Sequence, residues 1–293
     1  MLKILVLGAS GMLGHMACRT LAAAHDLQAT VRTAESARRL GRVLPSDRII
    51  SGFDSDDEFA LERLLASQRP QVVLNCIGIV KQRETARHGA RCVRVNALFP
   101  HLLADALDAS GGKLIHFSTD CVFSGRRGDS GIVDFPDATD LYGRSKLLGE
   151  VSRAPHLTLR TSMIGRELAG QTGLLEWFLA QRGGRVSGYA QARFSGLTTR
   201  ELCRVIGELL ARHESFHGLW HLASAPISKY DLLVQLNSAL RLGIDIARED
   251  NMRCDRTLNG APFAQATGIR VASWNEMIAD LAKDVGAYED WRC

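Results

Sequence analysis

Leu2-Lys3-Ile4-Leu5-Val6-Leu7-Gly8-Ala9-Ser10-Gly11-Met12-Leu13-Gly14 opens the chain and decides its fold. Leu2 to Leu7 is an apolar run rich in Ile, Leu and Val, the pattern of a strand buried on both faces of a parallel sheet. It enters a glycine-rich turn directly, and a helical stretch follows from His15 to Ala24. Glycines suit a turn whose backbone approaches a pyrophosphate. The helix behind it offers free N–H groups and the positive end of its dipole to that anion. The same pattern also fits an ordinary strand-to-helix turn. Its GxxGxxG spacing between a first strand and a first helix favours a dinucleotide site, built from Gly8, Ser10, Gly11, Met12, Leu13 and Gly14.

A second strand, Leu27 to Val31, ends at Arg32. An NAD site would place Asp or Glu here to accept from the ribose hydroxyls. Arginine instead offers a cation to a 2′-phosphate, with Thr33, Arg38 or Arg39 as helpers. NADPH is therefore expected as the cofactor, ahead of NADH.

Strand and helix patterns continue to alternate. Ile49-Ile50 is followed by a helix over 57–68 and a strand over 71–75. One long helix is expected over 93–109, then a strand over 113–117, a helix carrying Tyr142 and Lys146, and a strand over 157–160. Such alternation predicts an α/β fold of Rossmann type, a doubly wound parallel sheet with helices on both faces. Ligands gather there at the carboxyl ends of the strands, where Asp54, Asn75, Ser118 and Ser162 fall. After about residue 162 the alternation loosens, with breaks at Gly170-Gln171-Thr172-Gly173 and Gly183-Gly184. Residues 1–162 are expected to form the dinucleotide-binding domain. Residues 163–293 are expected to be mainly a smaller substrate-binding portion, with some segments returning to the Rossmann core.

Tyr142 and Lys146 are one helical turn apart and share a face. A nearby cation favours the phenolate, so Lys146 is expected to lower the Tyr142 pKa and fit the phenol for proton exchange with a carbonyl or alcohol oxygen. Thr119, in Phe117-Ser118-Thr119-Asp120-Cys121, lies 23 residues before Tyr142 and supplies a third hydroxyl at the same crevice. His116, within a strand, is expected to be a packed core residue.

Hydrophobic content of 46% with no run near the length of a membrane span argues for a soluble globular protein without a membrane partner. A net charge of +4 is spread along the chain, which argues against nucleic acid as a partner. Seven cysteines without a C-x-x-C pair predict reduced thiols and a cytoplasmic location. Met1 stands one residue before the first strand, so no signal peptide is expected. His213, His217 and His221 are four apart, but Gly218 interrupts them and no carboxylates complete the set, so no metal site is expected.

These motifs together resemble the extended short-chain dehydrogenase/reductases, and within them the dTDP-4-dehydrorhamnose reductase branch. Gly8 to Gly14, Ser118-Thr119-Asp120-Cys121-Val122-Phe123, Tyr142-Gly143-Arg144-Ser145-Lys146 and Leu159-Arg160-Thr161-Ser162 carry the resemblance. It implies NADPH-dependent reduction of a nucleotide-linked 4-ketosugar, a nucleotide-sugar as the partner, and is compatible with a homodimer. By that resemblance Thr119 orients the carbonyl, Tyr142 is the general acid and Lys146 holds the nicotinamide ribose while lowering the tyrosine pKa. Asn75, Ile77, Gly78 and Asn96 correspond to cofactor-side positions, joined by Asp54 and Ser118 at the strand ends. Lys81, Gln82, Cys121, Val122, Ser162, Trp177 and Arg193 are candidate substrate contacts.

Two departures bear on the substrate. Cys121 stands where the branch usually has Tyr, and Asn75-Cys76-Ile77-Gly78-Ile79-Val80-Lys81-Gln82 is unlike the usual Ala-rich segment. Cys121 also lies two residues after Thr119, as does a cysteine that moves a carbon-bound proton in the epimerase-reductases making GDP-fucose. A nucleotide-sugar epimerase is therefore one alternative, though no histidine occurs over 165–178 to partner the thiol. A non-catalytic NADP-binding regulatory subunit is another. A 4,6-dehydratase is disfavoured, because the Glu such enzymes carry after Thr-Asp is Cys121 here.

Overall fold

A computed structural model of the protein describes residues 1–80, 89–170 and 172–292. Lys81 and Gln82 lie outside the described residues. Strand and helix alternate as β1 (Lys3–Leu7), α1 (Met12–Leu21), β2 (Asp26–Val31), α2 (Ala34–Leu40), β3 (Ile49–Ser51), α3 (Glu58–Gln68) and β4 (Val72–Asn75). They continue as α4 (Gly89–Val93), α5 (Phe99–Ser110), β5 (Lys113–Thr119), α6 (Leu141–Leu148) and β6 (Leu157–Thr161). Next come β7 (Met163–Ile164), α7 (Leu174–Leu179), β8 (Arg185–Tyr189), β9 (Ala192–Phe194), β10 (Leu197–Thr198), α8 (Thr199–Arg212) and β11 (Gly218–His221). The chain ends with β12 (Ile227–Ser228), α9 (Lys229–Leu240), β13 (Asp245–Glu249), β14 (Cys254–Arg256), α10 (Ala261–Thr267) and α11 (Trp274–Arg292).

Seven strands form one parallel sheet in the order β11-β6-β5-β4-β1-β2-β3. The chain starts in the middle at β1, runs outward to β3, then crosses to β4 and runs the other way. Between β1 and β4 the carboxyl ends diverge and leave a crevice, which is where ligands bind in such sheets. The apolar run at the N-terminus explains why β1 sits centrally. Ile4 and Val6 join the core on one face, while Leu5 and Leu7 join the core on the other. Both faces are covered by helices, so no strand of this pattern tolerates an exposed side.

The helix expected over 93–109 is broken. It starts as α4, widens into a π-turn over Arg94–Leu98 and resumes as α5, with Pro100 in its first turn and Gly111 at φ 74° ending it. Such turns within helices often mark functional sites. Here it places Asn96, fully buried, between two neighbouring segments. Its Oδ1 accepts the Ile79 N–H at 2.8 Å, while its Nδ2 donates to the Ile79 carbonyl at 3.0 Å and to Ser145 Oγ on α6 at 3.2 Å.

Beyond residue 162, β11 extends the sheet beside β6 and α8 packs on α1. The remaining strands make small sheets, β10-β7, β12-β9-β14 and β13-β8, with α9 packed on α11. Among the described residues no helix is long and apolar enough to cross a membrane.

The tight start of α1 depends on Gly14, where an added Cβ would lie 2.4 Å from the Gly8 carbonyl oxygen and 2.7 Å from Ala9 Cα. Backbone cannot yield there as a flexible side chain would. Gly14→Ala is expected to lower the unfolding free energy by about 1–3 kcal/mol. An unchanged urea midpoint would show that β1 and α1 do not need this contact.

Candidate active site

The crevice at the carboxyl ends of β1, β4, β5 and β6 encloses a cavity of about 680 Å³. One wall is the glycine loop, through Ser10, Gly11, Met12 and Leu13. Asn75, Ile77 and Gly78 face it from the end of β4. Ser118, Thr119, Cys121, Tyr142 and Lys146 form the next stretch of wall, and Ser162, Trp177 and Arg193 the far side. Most of the residues expected at a site from the sequence therefore meet in one place.

The glycine loop is held from three directions. Gly8 adopts φ 75°, and a Cβ there would lie 2.9 Å from the Ile77 side chain, so the loop presses on the end of β4. The Ala9 N–H donates to the Thr30 carbonyl at 3.0 Å. Behind the loop, His15 Nδ1 lies 2.8 Å from the Gly11 carbonyl oxygen, and its Nε2 lies 2.7 Å from the Tyr288 hydroxyl of α11. The carbonyl requires a proton on Nδ1, so Nε2 accepts from the tyrosine. Burial pushes the His15 pKa down to about 4, which keeps this neutral tautomer. Helix α1 has Gly11 as N-cap, no side-chain cap and no acid in its first turn. A Cβ on Gly11 would meet only the Gly8 carbonyl oxygen, at 3.3 Å. This bare helix end fits the phosphates of a dinucleotide.

Tyr142 and Lys146 are placed by α6, whose N-cap Asp140 accepts the Gly143 N–H at 2.9 Å. The Tyr142 side chain and Thr119 line the same stretch of the crevice, and the Thr119 hydroxyl acts to lower the tyrosine pKa. Thr119 Oγ1 accepts the Cys121 N–H at 3.1 Å and donates to Asp120 Oδ1 at 3.3 Å. The expectation that Lys146 lowers the Tyr142 pKa is corrected. Burial raises it, and the Cys121 thiol and the Asp120 and Asp140 carboxylates push the same way. Lys146 is instead drawn below, where its Nζ donates to the Phe117 carbonyl at 2.6 Å. Burial brings its pKa down to about 8. Cys121 lines the crevice, but burial and the Asp120 carboxylate push its thiol up to about 12.

Ser118 is committed elsewhere. Its hydroxyl donates to Glu150 Oε1 at 2.6 Å, and the same carboxylate binds Arg160 twice, at 2.8 and 2.7 Å. Arg160 Nη1 in turn lies 3.3 Å from His221 Nε2, which takes His221 away from His213 and His217. Among the described residues no group of three or more His, Cys, Asp or Glu is disposed to hold a metal ion.

Sequence reasoning missed Lys229, Arg256 and Asp120 as crevice residues. Lys229 Nζ sits 3.5 Å from the Phe194 ring centroid, and Arg256 Nε donates to the Phe123 carbonyl at 3.1 Å. With Arg193, whose Nη1 is 3.8 Å from Asp255 Oδ2, three cations border one end of the crevice. The buried Asp120 carboxyl between them is shifted upward by burial. Lys229 stands just after the Ser228 N-cap of α9, the only local signal that could have marked it.

Other expected contacts do not line the crevice. Val122 is fully buried against Phe123 and Leu258, because the turn after β5 aims it inward. Asn96 acts as the bracket described above. Asp54 accepts the Asp56 N–H at 3.2 Å and lies 4.0 Å from Arg91. Gly8 and Gly14 shape the loop from behind, and Arg32 is exposed at the end of β2.

The Glu150–Arg160 pair is almost wholly buried, so removing one charge strands the other. Glu150→Gln is expected to destabilise the fold by about 3–5 kcal/mol in chemical denaturation. A loss below 1 kcal/mol would mean that His221 holds Arg160 without it.

The family model described as "RmlD substrate binding domain" matches residues 2–242. A Streptomyces antibioticus protein named a probable dTDP-4,6-dihydroxy-2-methyloxan-3-one 4-ketoreductase is 30% identical over 239 residues, covering 79% of this chain and 75% of that protein. Methionine adenosyltransferase 2 subunit beta of Danio rerio is 29% identical over 199 residues, 64% of this chain. The chain spans 61% of that protein's length. The crystal structure of dTDP-4-dehydrorhamnose reductase from Bacillus anthracis in complex with NADP superposes with a TM-score of 0.81 at 17% identity, covering 97% of this chain and 99% of that one. That likeness establishes the Rossmann-type fold.

Proposed function

The chain belongs to the RmlD substrate-binding domain family, and from that premise we propose that it is an NADPH-dependent reductase of a nucleotide-linked 4-ketosugar. One observation carries this reading: Thr119, Tyr142 and Lys146 line one crevice whose opposite wall is a bare helix end. The Streptomyces relative named as a 4-ketoreductase, and the reductase whose crystal structure holds NADP, support the same reading.

Ser10, Gly11, Met12, Leu13, Ile77 and Gly78 would hold the dinucleotide, with Arg32 beside the 2′-phosphate. When bound, the nicotinamide supplies the hydride that adds to the keto carbon. Thr119 orients the sugar carbonyl. Tyr142 delivers the proton to its oxygen, so hydride and proton together give the alcohol. The raised pKa of Tyr142 keeps it protonated until the oxygen becomes the stronger base. Arg193, Lys229 and Arg256 are suited to a diphosphate, which brings two negative charges to a partly dehydrated wall. Ser162 and Trp177 border the sugar. We assign residues 1–162 chiefly to the cofactor and 163–293 chiefly to the substrate. The free thiols of Cys18, Cys76, Cys92, Cys121, Cys203 and Cys254 support a reducing, cytoplasmic setting.

Epimerisation through Cys121 is disfavoured, since a thiol pushed up to about 12 supplies almost no thiolate near neutrality. The subunit reading is favoured by one fact, the likeness to a protein named as a subunit. Tyr142→Phe separates it from the reductase. With nucleotide-4-ketosugars and NADPH, kcat/KM is expected to fall about 10²–10⁴-fold while the dinucleotide Kd is unchanged. Dinucleotide binding without NADPH oxidation on any ketosugar, in the native chain, would favour the subunit. Cys121→Ala is expected to retain turnover.

Arg32→Ala is expected to reduce the preference for NADPH over NADH by about tenfold, from the loss of one charge-assisted contact at an exposed site. Equal loss for both dinucleotides in a binding titration would remove Arg32 from the 2′-phosphate.

A further inference from the structure

Behind the glycine loop, helix α11 reaches the cofactor end of the crevice through two side chains that take no part in the chemistry. Tyr288, fully buried, sets its hydroxyl 2.7 Å from His15 Nε2, and His15 Nδ1 lies 2.8 Å from the Gly11 carbonyl oxygen. The two rings meet edge to face, 5.6 Å apart at 78°. The same carbonyl accepts the His15 backbone N–H at 3.1 Å, closing the first turn of α1. A carbonyl oxygen only accepts, so the imidazole carries its proton at Nδ1 and its Nε2 accepts from the phenol. Apolar residues of similar shape would pack α11 on α1 without a buried ring and hydroxyl that both need partners.

The direction of these bonds matters. A peptide group whose oxygen accepts hydrogen bonds is polarised, and its own N–H becomes a stronger donor. The peptide of the Gly11 carbonyl ends in the Met12 N–H, one of the groups at the head of α1 that precede its first intrahelical bond. Met12 lines the crevice beside Ser10 and Gly11. We propose that Tyr288 and His15 are positioning residues of the dinucleotide site: a directed series of hydrogen bonds, phenol to imidazole to Gly11 carbonyl, fixes the glycine loop and strengthens the Met12 N–H toward the pyrophosphate. The series acts on a bound dinucleotide and so rests on the NADPH reading.

Both members are held in the required state. Burial pushes the Tyr288 phenol up to about 12, against the charges of Arg19 and Arg166, so it keeps the proton it donates. Burial likewise brings His15 down to about 4, against the pull of the Gly11 hydrogen bond, so the ring stays neutral. The Arg166 and Arg19 guanidinium carbons lie 5.0 and 5.8 Å from the centroid of the Tyr288 ring. Arg19 Nη2 also donates to Asp284 Oδ1 at 3.0 Å, and Arg166 Nη1 donates to the Val285 carbonyl at 3.1 Å. Both cations thus grip the turn of α11 before Tyr288. Arg166 reaches a second part of the crevice as well. Its Nε donates at 2.8 Å to Glu176 Oε1, which also accepts the N–H of Glu167, a lining residue, at 2.8 Å.

A double-mutant cycle on the full chain, read as the NADPH Kd, tests the series. Tyr288→Phe removes only the hydroxyl and is expected to raise that Kd about three- to tenfold. His15→Leu is expected to raise it by at least as much. In the His15→Leu background the tyrosine change is expected to add nothing, because Tyr288 acts through the imidazole. A packing role would weaken binding again in that background, and such a second loss overturns the proposal. Adenosine 2′-phosphate, which lacks the pyrophosphate, is expected to bind the native chain and Tyr288→Phe alike; equal losses for both ligands also overturn it. Should His15→Leu fail to fold, long-range ¹H–¹⁵N spectra of the native ring decide: Nδ1–H with bare Nε2 supports the series, and Nε2–H refutes it. A native chain that binds no NADPH sinks the reductase reading and the proposal together. Native binding with no change of Kd in Tyr288→Phe sinks the proposal alone.

Discussion

Two absent side chains on α6 fix the distance on which the site depends. A Cβ on Gly143 would lie 2.2 Å from the Cys121 carbonyl oxygen, and one on Gly149 would lie 2.0 Å from the Asn96 carbonyl oxygen. The helix backbone therefore rests directly on the turn after β5 at one end and on the π-turn at the other. With that contact, Tyr142 reaches Thr119 and Lys146 reaches His116 and the Phe117 carbonyl. The π-turn matters for the same reason. Asn96 ties Ile79 on the cofactor side to Ser145 on α6, so the walls of the crevice are braced against each other.

Close approach also excludes water, and exclusion of water decides the charge state of the site. Burial moves Tyr142, Cys121 and Asp120 upward and Lys146, Lys229 and His116 downward. Each shift favours the neutral form, as desolvation must. A simple pairing rule would have Lys146 drive Tyr142 toward phenolate. Desolvation outweighs it here because the lysine nitrogen is turned to a backbone carbonyl and the nearer groups to the phenol are carboxylates and a thiol. A proton donor gains from this, since it keeps its proton until an oxyanion forms.

Local pattern carried much of this into the sequence. The Ile4–Leu7 run, the glycine spacing and the residues at strand ends placed β1, its loop and the crevice, because each depends on neighbours within a few residues. Tyr142 and Lys146 were legible as a pair for the same reason, while Thr119, 23 residues earlier, joined them through its place at the end of a strand and the resemblance of its motif. Lys229 and Arg256 were not, since they come from α9 and β14 and reach Asp120 only through the packing of distant elements. The break in the helix over 93–109 left no apolar signature, as a π-turn changes the hydrogen bonds and not the periodicity enough to see. Val122 and Asp54 fall outside the crevice lining, because a position next to a strand end does not say which way the side chain turns.

The buried lysine also bears on what kind of protein this is. A fall in its pKa from 10.5 to about 8 means that the unfolded chain holds the Lys146 proton more tightly than the folded chain. That difference opposes folding by about 3 kcal/mol, in full below about pH 8, fading as pH rises from there to the ordinary lysine value and gone above it. A protein that only binds a dinucleotide would be more stable with an apolar residue of similar volume at this position. That cost, borne by a residue that lines the crevice beside Tyr142, is one that packing alone does not explain.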